Sequence, residues 1–210
     1  MTTPLPIACL ASGSGSNVQA IIDAIAAGTL PARITAVISN VPGAGVLDRA
    51  QRCGIPAIVV DHRAFPRRED FERQLCGVID GGSAELVCLC GFLRVLTPWF
   101  VSHYTGRILN IHPALLPDFG GRGFHGSKVH QAVLAAGRKT SGCTVHIVDA
   151  EVDHGPIILQ RIVPVLPGDT PETLSARVLE QEHLAYPEAI GLFATGRVTV
   201  ANGRAIVRPA

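Results

Sequence analysis

This chain has no charge excess. Its 18 Lys and Arg face 17 Asp and Glu, for a formal net charge of +1. Such balance creates no protein-wide field to attract nucleic acid or an anionic membrane, so neither is an expected partner and any anion site has to be local. Long apolar runs are also missing. None approaches the roughly 20 residues a helix needs to cross a bilayer. Met1–Pro6 carry no basic stretch, and the apolar segment Ile7–Ala11 is short for a secretion-signal core, so the expected location is the cytoplasm. Metal and redox spacings of cysteine are absent too. Cys9, Cys53, Cys76, Cys88, Cys90 and Cys143 are scattered through apolar segments. Cys88-x-Cys90 matches neither a zinc knuckle nor a C-x-x-C motif, so no metal is expected and the six read as buried free thiols. No internal repeat, low-complexity tract or linker is visible, and the 210 residues read as one domain.

What is present is an alternation of short apolar runs with helical patterns. Ile7–Ala11, Ile34–Ser39, Ala57–Val60, Leu86–Cys90 and Ile108–Ile111 read as strands. Val18–Ala27, Ala44–Cys53, Phe65–Ile79 and Ser127–Ala136 read as helices. Near-continuous apolar strands separated by helices predict an α/β fold, with an open, mostly parallel twisted sheet covered by helices on both faces. Later the pattern changes. Cys143–Val148 and Ile157–Val165, joined by the polar loop Asp149–Pro156, predict an antiparallel edge. A long helix follows, with Thr170 as N-cap, Pro171 at the first position and Glu172 at the positive end of the dipole. Arg197–Val200 and Ala205–Val207, around Asn202-Gly203, read as a terminal hairpin. The glycine-rich loop Pro117–Gly126 is the best candidate for a mobile element.

The first strand runs into Ser12-Gly13-Ser14-Gly15-Ser16-Asn17 and then the first helix. Glycines allow close approach of backbone to an anion, and the free N–H groups of a helix start point at it. Ser16 and Asn17 add side-chain donors, and Asn17 reads as the N-cap. No Lys follows, as a nucleotide P-loop requires, and a dinucleotide fingerprint would need a third glycine where Val18 stands and an acidic residue near Ser39-Asn40. A monophosphate site is the preferred reading; a turn that only caps the helix is the plain alternative.

The fifth strand ends Asn110-Ile111-His112-Pro113. Alternation puts Asn110 and His112 on one side, roughly 7 Å apart. Such a pair can be purely structural. Asp153, in the polar loop, supplies the partner that would favour chemistry: a carboxylate beside an imidazole stabilises its cation and raises its pKa. An amide donor for an oxyanion, a proton donor and a tuning carboxylate suit acyl or formyl transfer. No nucleophile elbow is present, so direct attack by a substrate amine fits better than a covalent intermediate.

These residues resemble the glycinamide ribonucleotide formyltransferase family. The resemblance runs through Ser12–Asn17, Gly91-Phe92-Leu93-Arg94-Val95-Leu96, Asn110-Ile111-His112-Pro113-Ala114-Leu115-Leu116-Pro117, Val145-His146-Ile147-Val148, Asp153, Gly155-Pro156-Ile157-Ile158-Leu159-Gln160, Gln181-Glu182-His183 and Tyr186-Pro187, in order along nearly the whole chain. It implies a Rossmann-like formyltransferase fold whose N-terminal half binds the ribonucleotide phosphate and whose C-terminal half binds folate and carries catalysis. It also implies formyl transfer from 10-formyltetrahydrofolate to the amine of glycinamide ribonucleotide in purine synthesis. By the resemblance, Gly15, Ser16 and Asn17 hold the phosphate and Glu182 the ribose. Asn110 binds the formyl oxygen, His112 donates the proton and Asp153 keeps His112 protonated. Leu93, Arg94, Val95 and Leu96, with Asp149, Ala150, Glu151, Val152 and Asp153, wall the pterin pocket. Arg68 lies toward the folate's glutamate tail.

The residues themselves leave some of this open. Glu182 sits at the margin of the stripe Leu174, Val178, Gln181, Ala185, where a solvated helix charge is the alternative. Arg68 lies in the charge run Arg67-Arg68-Glu69-Asp70, whose default is solvation. His183 reads as structural or exposed. His146 faces inward and either supports Asp153 or Asn110 or is a core histidine. The loop Asp118–Gly126 is longer and richer in glycine than in many relatives, and His125 or His130 stands for their loop histidine. A homodimer is left open. Methionyl-tRNA formyltransferase and formyltetrahydrofolate hydrolase share the formyl-handling core, but each is expected to carry a further domain. A non-catalytic nucleotide-binding module would have no use for Asn110, His112 and Asp153 together.

Overall fold

The computed structural model describes residues 3–201 and 204–208. Two compact units divide the chain within its fifth strand: Met1–Leu109 and Asn110–Ala210.

In the N-terminal unit, strands β1 (Leu5–Ala11), β2 (Ala32–Ser39), β3 (Ala57–Val59) and β4 (Leu86–Leu89) lie in the order β3-β2-β1-β4, and the start of β5 (Ile108–His112) follows β4. The pairs β1–β2, β1–β4 and β2–β3 are parallel. β1 is bonded on both edges and buried on both faces, with Ile7 to Ala11 fully enclosed. That is why its sequence is apolar without alternation. Helices α1 (Ser16–Ala26), α2 (Gly45–Arg52), α3 (Arg68–Gly81) and α4 (Pro98–His103) complete the unit. α3 buries Phe71, Leu75, Cys76 and Ile79, the spacing of one helix face.

Two local readings change. The expected helix from Phe65 begins instead at Arg68, after a separate 3-10 turn at His62–Ala64. Pro66 excludes the helical region for the residue before it, and Phe65 is extended at φ −116°, ψ 130°. The second change is α4, which the sequence reading left out. Thr97 caps it by accepting the Phe100 N–H, and Pro98 takes its first position. The buried Glu72 carboxylate on α3 accepts the Thr97 N–H at 2.8 Å and also the Thr97 hydroxyl. The segment Leu93–Leu96 is thereby anchored where it enters α4.

The C-terminal unit holds the end of β5, then α5 (Ser127–Ala135), β6 (Thr140–Ile147), β7 (Ile157–Pro164) and α6 (Pro171–Ala194). Its strand order is β5-β6-β7, and β6 and β7 are antiparallel, as expected. Thr170 caps α6 with a reciprocal bond: it accepts the Thr173 N–H, and the Thr173 hydroxyl accepts the Thr170 N–H. β8 (Val198–Ala201) pairs antiparallel with β9 (Arg204–Val207) as a separate hairpin. Its expected turn, Asn202-Gly203, lies outside the described residues. The fold is α/β: a mostly parallel seven-stranded sheet with helices, and a small antiparallel sheet.

All six cysteines are free, and five are buried. Cys53 is exposed, which corrects the reading of six buried thiols; it follows the last residue of α2 and so falls on a surface turn. Among the described residues, no helix is long and apolar enough to cross a membrane, and no three His, Cys, Asp or Glu side chains gather as a metal-binding group.

Candidate active site

In the C-terminal unit, β5 presents Asn110 and His112 to the same carboxylate. Asn110 Nδ2 donates to Asp153 Oδ1 at 3.4 Å, and His112 Nδ1 lies 3.4 Å from Asp153 Oδ2. Strand alternation is sufficient to explain the shared side. His146, on β6, completes the group: Asn110 Nδ2 approaches its Nε2 at 3.1 Å, and Asp153 Oδ1 lies 3.6 Å from the same nitrogen. His146 Nδ1 sits 3.1 Å from the Ile147 carbonyl, which can only accept. Nδ1 therefore carries a proton. Of the two readings of His146, the supporting one matches this geometry.

The loop 117–126 adds two backbone contacts that no side-chain pattern announces. Phe119 accepts from His112 Nε2 at 2.9 Å, and Gly121 N–H donates to Asp153 Oδ2 at 3.0 Å. A Cβ on the intervening Gly120 would stand 2.5 Å from Leu116 Cδ2, so the loop's glycine content permits this approach.

The His112 pKa is shifted opposite to expectation. The side chain is 4% exposed, and burial pushes its pKa below the usual histidine value. The Asp153 carboxylate and the Phe119 carbonyl pull upward but do not overcome burial. Nε2 faces the Phe119 carbonyl, which can only accept, so that nitrogen carries a proton. Asp153 is charged. Burial pushes its carboxyl up, while His146, His112 and the Gly121 N–H outweigh it and hold it below the ordinary range.

In the N-terminal unit, the turn Ser12–Gly15 leads into α1. Gly15, not Asn17, is the N-cap, at φ 75°, ψ 32°. The cap must lie outside the helix, and this left-handed conformation suits glycine. A Cβ there would meet Val46 Cγ2 at 2.4 Å. Ser16 and the buried Asn17 are the first two helical residues. Helix α2 grips the turn from one side: the Val46 N–H donates to Gly13 O at 3.1 Å, and Arg49 Nε donates to Ser14 O at 2.7 Å. In a trans peptide the N–H points opposite its C=O. With both carbonyls committed to α2, the Ser14 and Gly15 N–H groups face away from it. Arg49 went unremarked in the sequence because nothing in its spacing links it to a loop 35 residues earlier. Ser12 Oγ donates to Asn40 Oδ1 at 2.6 Å and accepts the Leu93 N–H at 2.9 Å, tying the turn to the segment Gly91–Leu96.

Along that segment Leu93 and Val95 are 64% and 44% exposed, while Arg94 and Leu96 are half-buried. Arg68 is exposed as the first residue of α3. In the C-terminal unit, Asp149, Ala150, Glu151 and Val152 form the loop that delivers Asp153. Glu182 is buried on α6, against the reading of a solvated charge, and its charge adds to the burial that pushes the Cys143 thiol up to about 12. His183 is half-buried.

Of the two loop-histidine candidates, His125 is exposed and His130 is buried on α5 with Nδ1 unpartnered. Burial lowers the His130 pKa, and protonation of His112 lowers it further. Unfolded, His112 and His130 titrate near 6.5; folded, both lie lower. As pH falls, protons bind the unfolded chain first, so this contribution to stability is complete above that value and is lost below it. The melting temperature is expected to drop between about pH 7.5 and pH 5.5, with a shallower drop in His130→Gln. Equal slopes in the two proteins would remove His130 as a contributor.

A family model described as formyl transferase matches residues 5–190. The chain is 45% identical over 192 residues to phosphoribosylglycinamide formyltransferase of Escherichia coli (strain K12), covering 91% of this chain and 88% of that protein. It is 46% identical over 199 residues to the trifunctional purine biosynthetic protein adenosine-3 of Gallus gallus. That match covers 95% of this chain, which spans 19% of the trifunctional protein's length. The crystal structure of glycinamide ribonucleotide transformylase 1 from Symbiobacterium toebii superposes with a TM-score of 0.94 at 43% identity, covering 100% of this chain and 96% of that one. The chain belongs to the formyl transferase family.

Proposed function

We propose that this chain transfers a formyl group from 10-formyltetrahydrofolate to the amine of glycinamide ribonucleotide, giving N-formylglycinamide ribonucleotide and tetrahydrofolate. The observation that carries the reading is the buried contact of His112 with the Asp153 carboxylate beside Asn110 on one strand end, in a member of this family. The same reading makes the chain a cytoplasmic enzyme of purine synthesis with small-molecule substrates, working as one formyltransferase domain.

10-Formyltetrahydrofolate supplies the activated formyl group. Leu93, Arg94, Val95 and Leu96 would hold its ring system, together with Asp149, Ala150, Glu151 and Val152. The exposure of Leu93 and Val95 fits that role, because large apolar side chains left open to water favour a flat apolar ligand. Arg68 would meet the glutamate tail. Gly15, Ser16 and Asn17 would take the phosphate, and the buried Glu182 would accept hydrogen bonds from the ribose hydroxyls.

The substrate amine adds to the formyl carbon while Asn110 donates to the formyl oxygen, where negative charge develops. Of the two Asn110 N–H groups, the one at 3.4 Å from Asp153 makes the weaker bond and is the one to exchange for that oxygen. His112 accepts the proton the amine sheds and delivers it to the departing folate nitrogen. The C–N bond to that nitrogen then breaks. Asp153 stabilises the imidazolium that exists between the two transfers. A histidine held low by burial suits this relay better than one held permanently protonated.

The test is an assay with both substrates, following release of tetrahydrofolate. Formation of formate without an acceptor would indicate a hydrolase instead, and no turnover with either acceptor would defeat the proposal. Asn17→Ala is expected to raise the KM for the ribonucleotide roughly tenfold, the loss of one hydrogen bond to a charged group, while the KM for folate stays within about twofold. Equal rises in both would count against the phosphate role.

A further inference from the structure

The loop between β6 and β7 has to hold Asp153 in a conformation that its backbone resists. Asp153 is not glycine, yet its φ is 56°, in the left-handed region. Such a residue persists when its surroundings over-determine it. Three contacts close the loop. The Ile147 N–H donates to Pro156 O at 2.9 Å across its neck. Asp149 Oδ1 accepts the Glu151 N–H at 2.9 Å, forming an Asx turn at its start. Asp149 Oδ2 lies 2.9 Å from His154 Nδ1, joining the first residue of the loop to the neighbour of Asp153.

We propose that the Asp149–His154 pair is a clasp that positions Asp153, which makes His154 a positioning residue for the formyl transfer. The inference rests on the catalytic role proposed for Asp153. Peptide geometry gives the reason. Fixing the His154 side chain limits rotation about the bond that joins it to Asp153, and so sets where the Asp153 carboxylate points. That carboxylate has to reach the Gly121 N–H, Asn110 Nδ2 and His112 Nδ1 together, at 3.0, 3.4 and 3.4 Å. Among the described residues, no other side-chain pair within 148–156 bridges the two ends of the loop. Asp149, and behind it Glu151, raise the His154 pKa above the ordinary histidine value, so the ring carries its charge closer to neutral pH.

His154 is 67% exposed on its side chain, and exposed ion pairs add little to global stability. A purely structural role would therefore have nothing to show in activity, while a positioning role separates turnover from melting. His154→Ala is expected to lower kcat about four- to tenfold, with the melting temperature and the KM for the ribonucleotide unchanged. Asp149→Asn should lower kcat similarly, and the double variant should show no further loss, because the two side chains act as one unit. His154→Arg, which restores a cation opposite Asp149, should recover most of the turnover. Wild-type kcat in His154→Ala, additive losses in the double variant, or a failure of Arg to recover turnover would each overturn the clasp. Asp153→Asn in the same assay keeps the two readings apart: if it is impaired while His154→Ala is not, the role of Asp153 stands and the clasp falls.

Discussion

Asp153→Asn is expected to lower turnover by at least about 100-fold while the chain stays folded, a loss in the range that positioned proton-transfer groups contribute. Asparagine has the shape of aspartate, and its Oδ1 can still accept the Gly121 N–H that the carboxylate accepts at 3.0 Å. The loop contact therefore survives. What disappears is the negative charge beside His112 Nδ1. Burial already lowers the His112 pKa, and the carboxylate is the main influence opposing it. Without that charge the imidazolium needed between the two proton transfers becomes harder to form, and each step slows. Steady-state kcat checks activity, and circular dichroism melting checks the fold. The melting temperature is expected to shift by no more than a few degrees, since most single substitutions cost about 1 kcal/mol. Turnover within about threefold of wild type would remove Asp153 from the mechanism.

The parts of this molecule that were legible in its sequence are those where one residue type serves one purpose. Buried parallel strands must be apolar throughout, so Ile7–Ala11 announced β1, and Thr170-Pro171 announced the start of α6. Asn110 and His112 were legible because strand period alone puts them together, and Asp153 because it lies in the polar loop Asp149–Pro156 and falls within the family resemblance. α4 was not, although Thr97-Pro98 carries the same start signal as Thr170-Pro171. Six residues are too few to show a helical period. The cap of α1 falls on Gly15 and not on Asn17, whose side chain marked it as a cap, because glycine caps through its backbone and leaves no polar mark. The direction of the His112 pKa shift was not legible, because sequence shows the partner and not the burial. Phe119 and Gly121 act through main-chain atoms, and Arg49 through a carbonyl 35 positions away; none of these has a side-chain signature that a linear reading can detect.

Gly155 links fold and chemistry at a single backbone position. An added Cβ would stand 1.9 Å from the Ile147 carbonyl oxygen and 3.2 Å from the Asp149 nitrogen. Both are main-chain atoms, so no rotamer change can move them aside. Gly155→Ala must therefore open the neck of the loop, where the Ile147 N–H reaches Pro156 O at 2.9 Å. Overpacking of this kind costs about 1–3 kcal/mol, which for a chain of this size lowers the melting temperature by roughly 2–12 °C. The larger effect is expected on turnover. Asp153 lies two residues away and meets its partners at 3.0 to 3.4 Å, with the longer contacts already near the limit of a hydrogen bond. A displacement of about 1 Å would break them, and misplacement on that scale costs on the order of 100-fold in rate. The KM for the ribonucleotide should change far less, because its phosphate is assigned to Gly15, Ser16 and Asn17, in the other unit. The comparison that decides is turnover at a temperature well below the variant's melting point. Full turnover there, with melting lowered, would mean that the neck of the loop supports the fold without setting the position of Asp153.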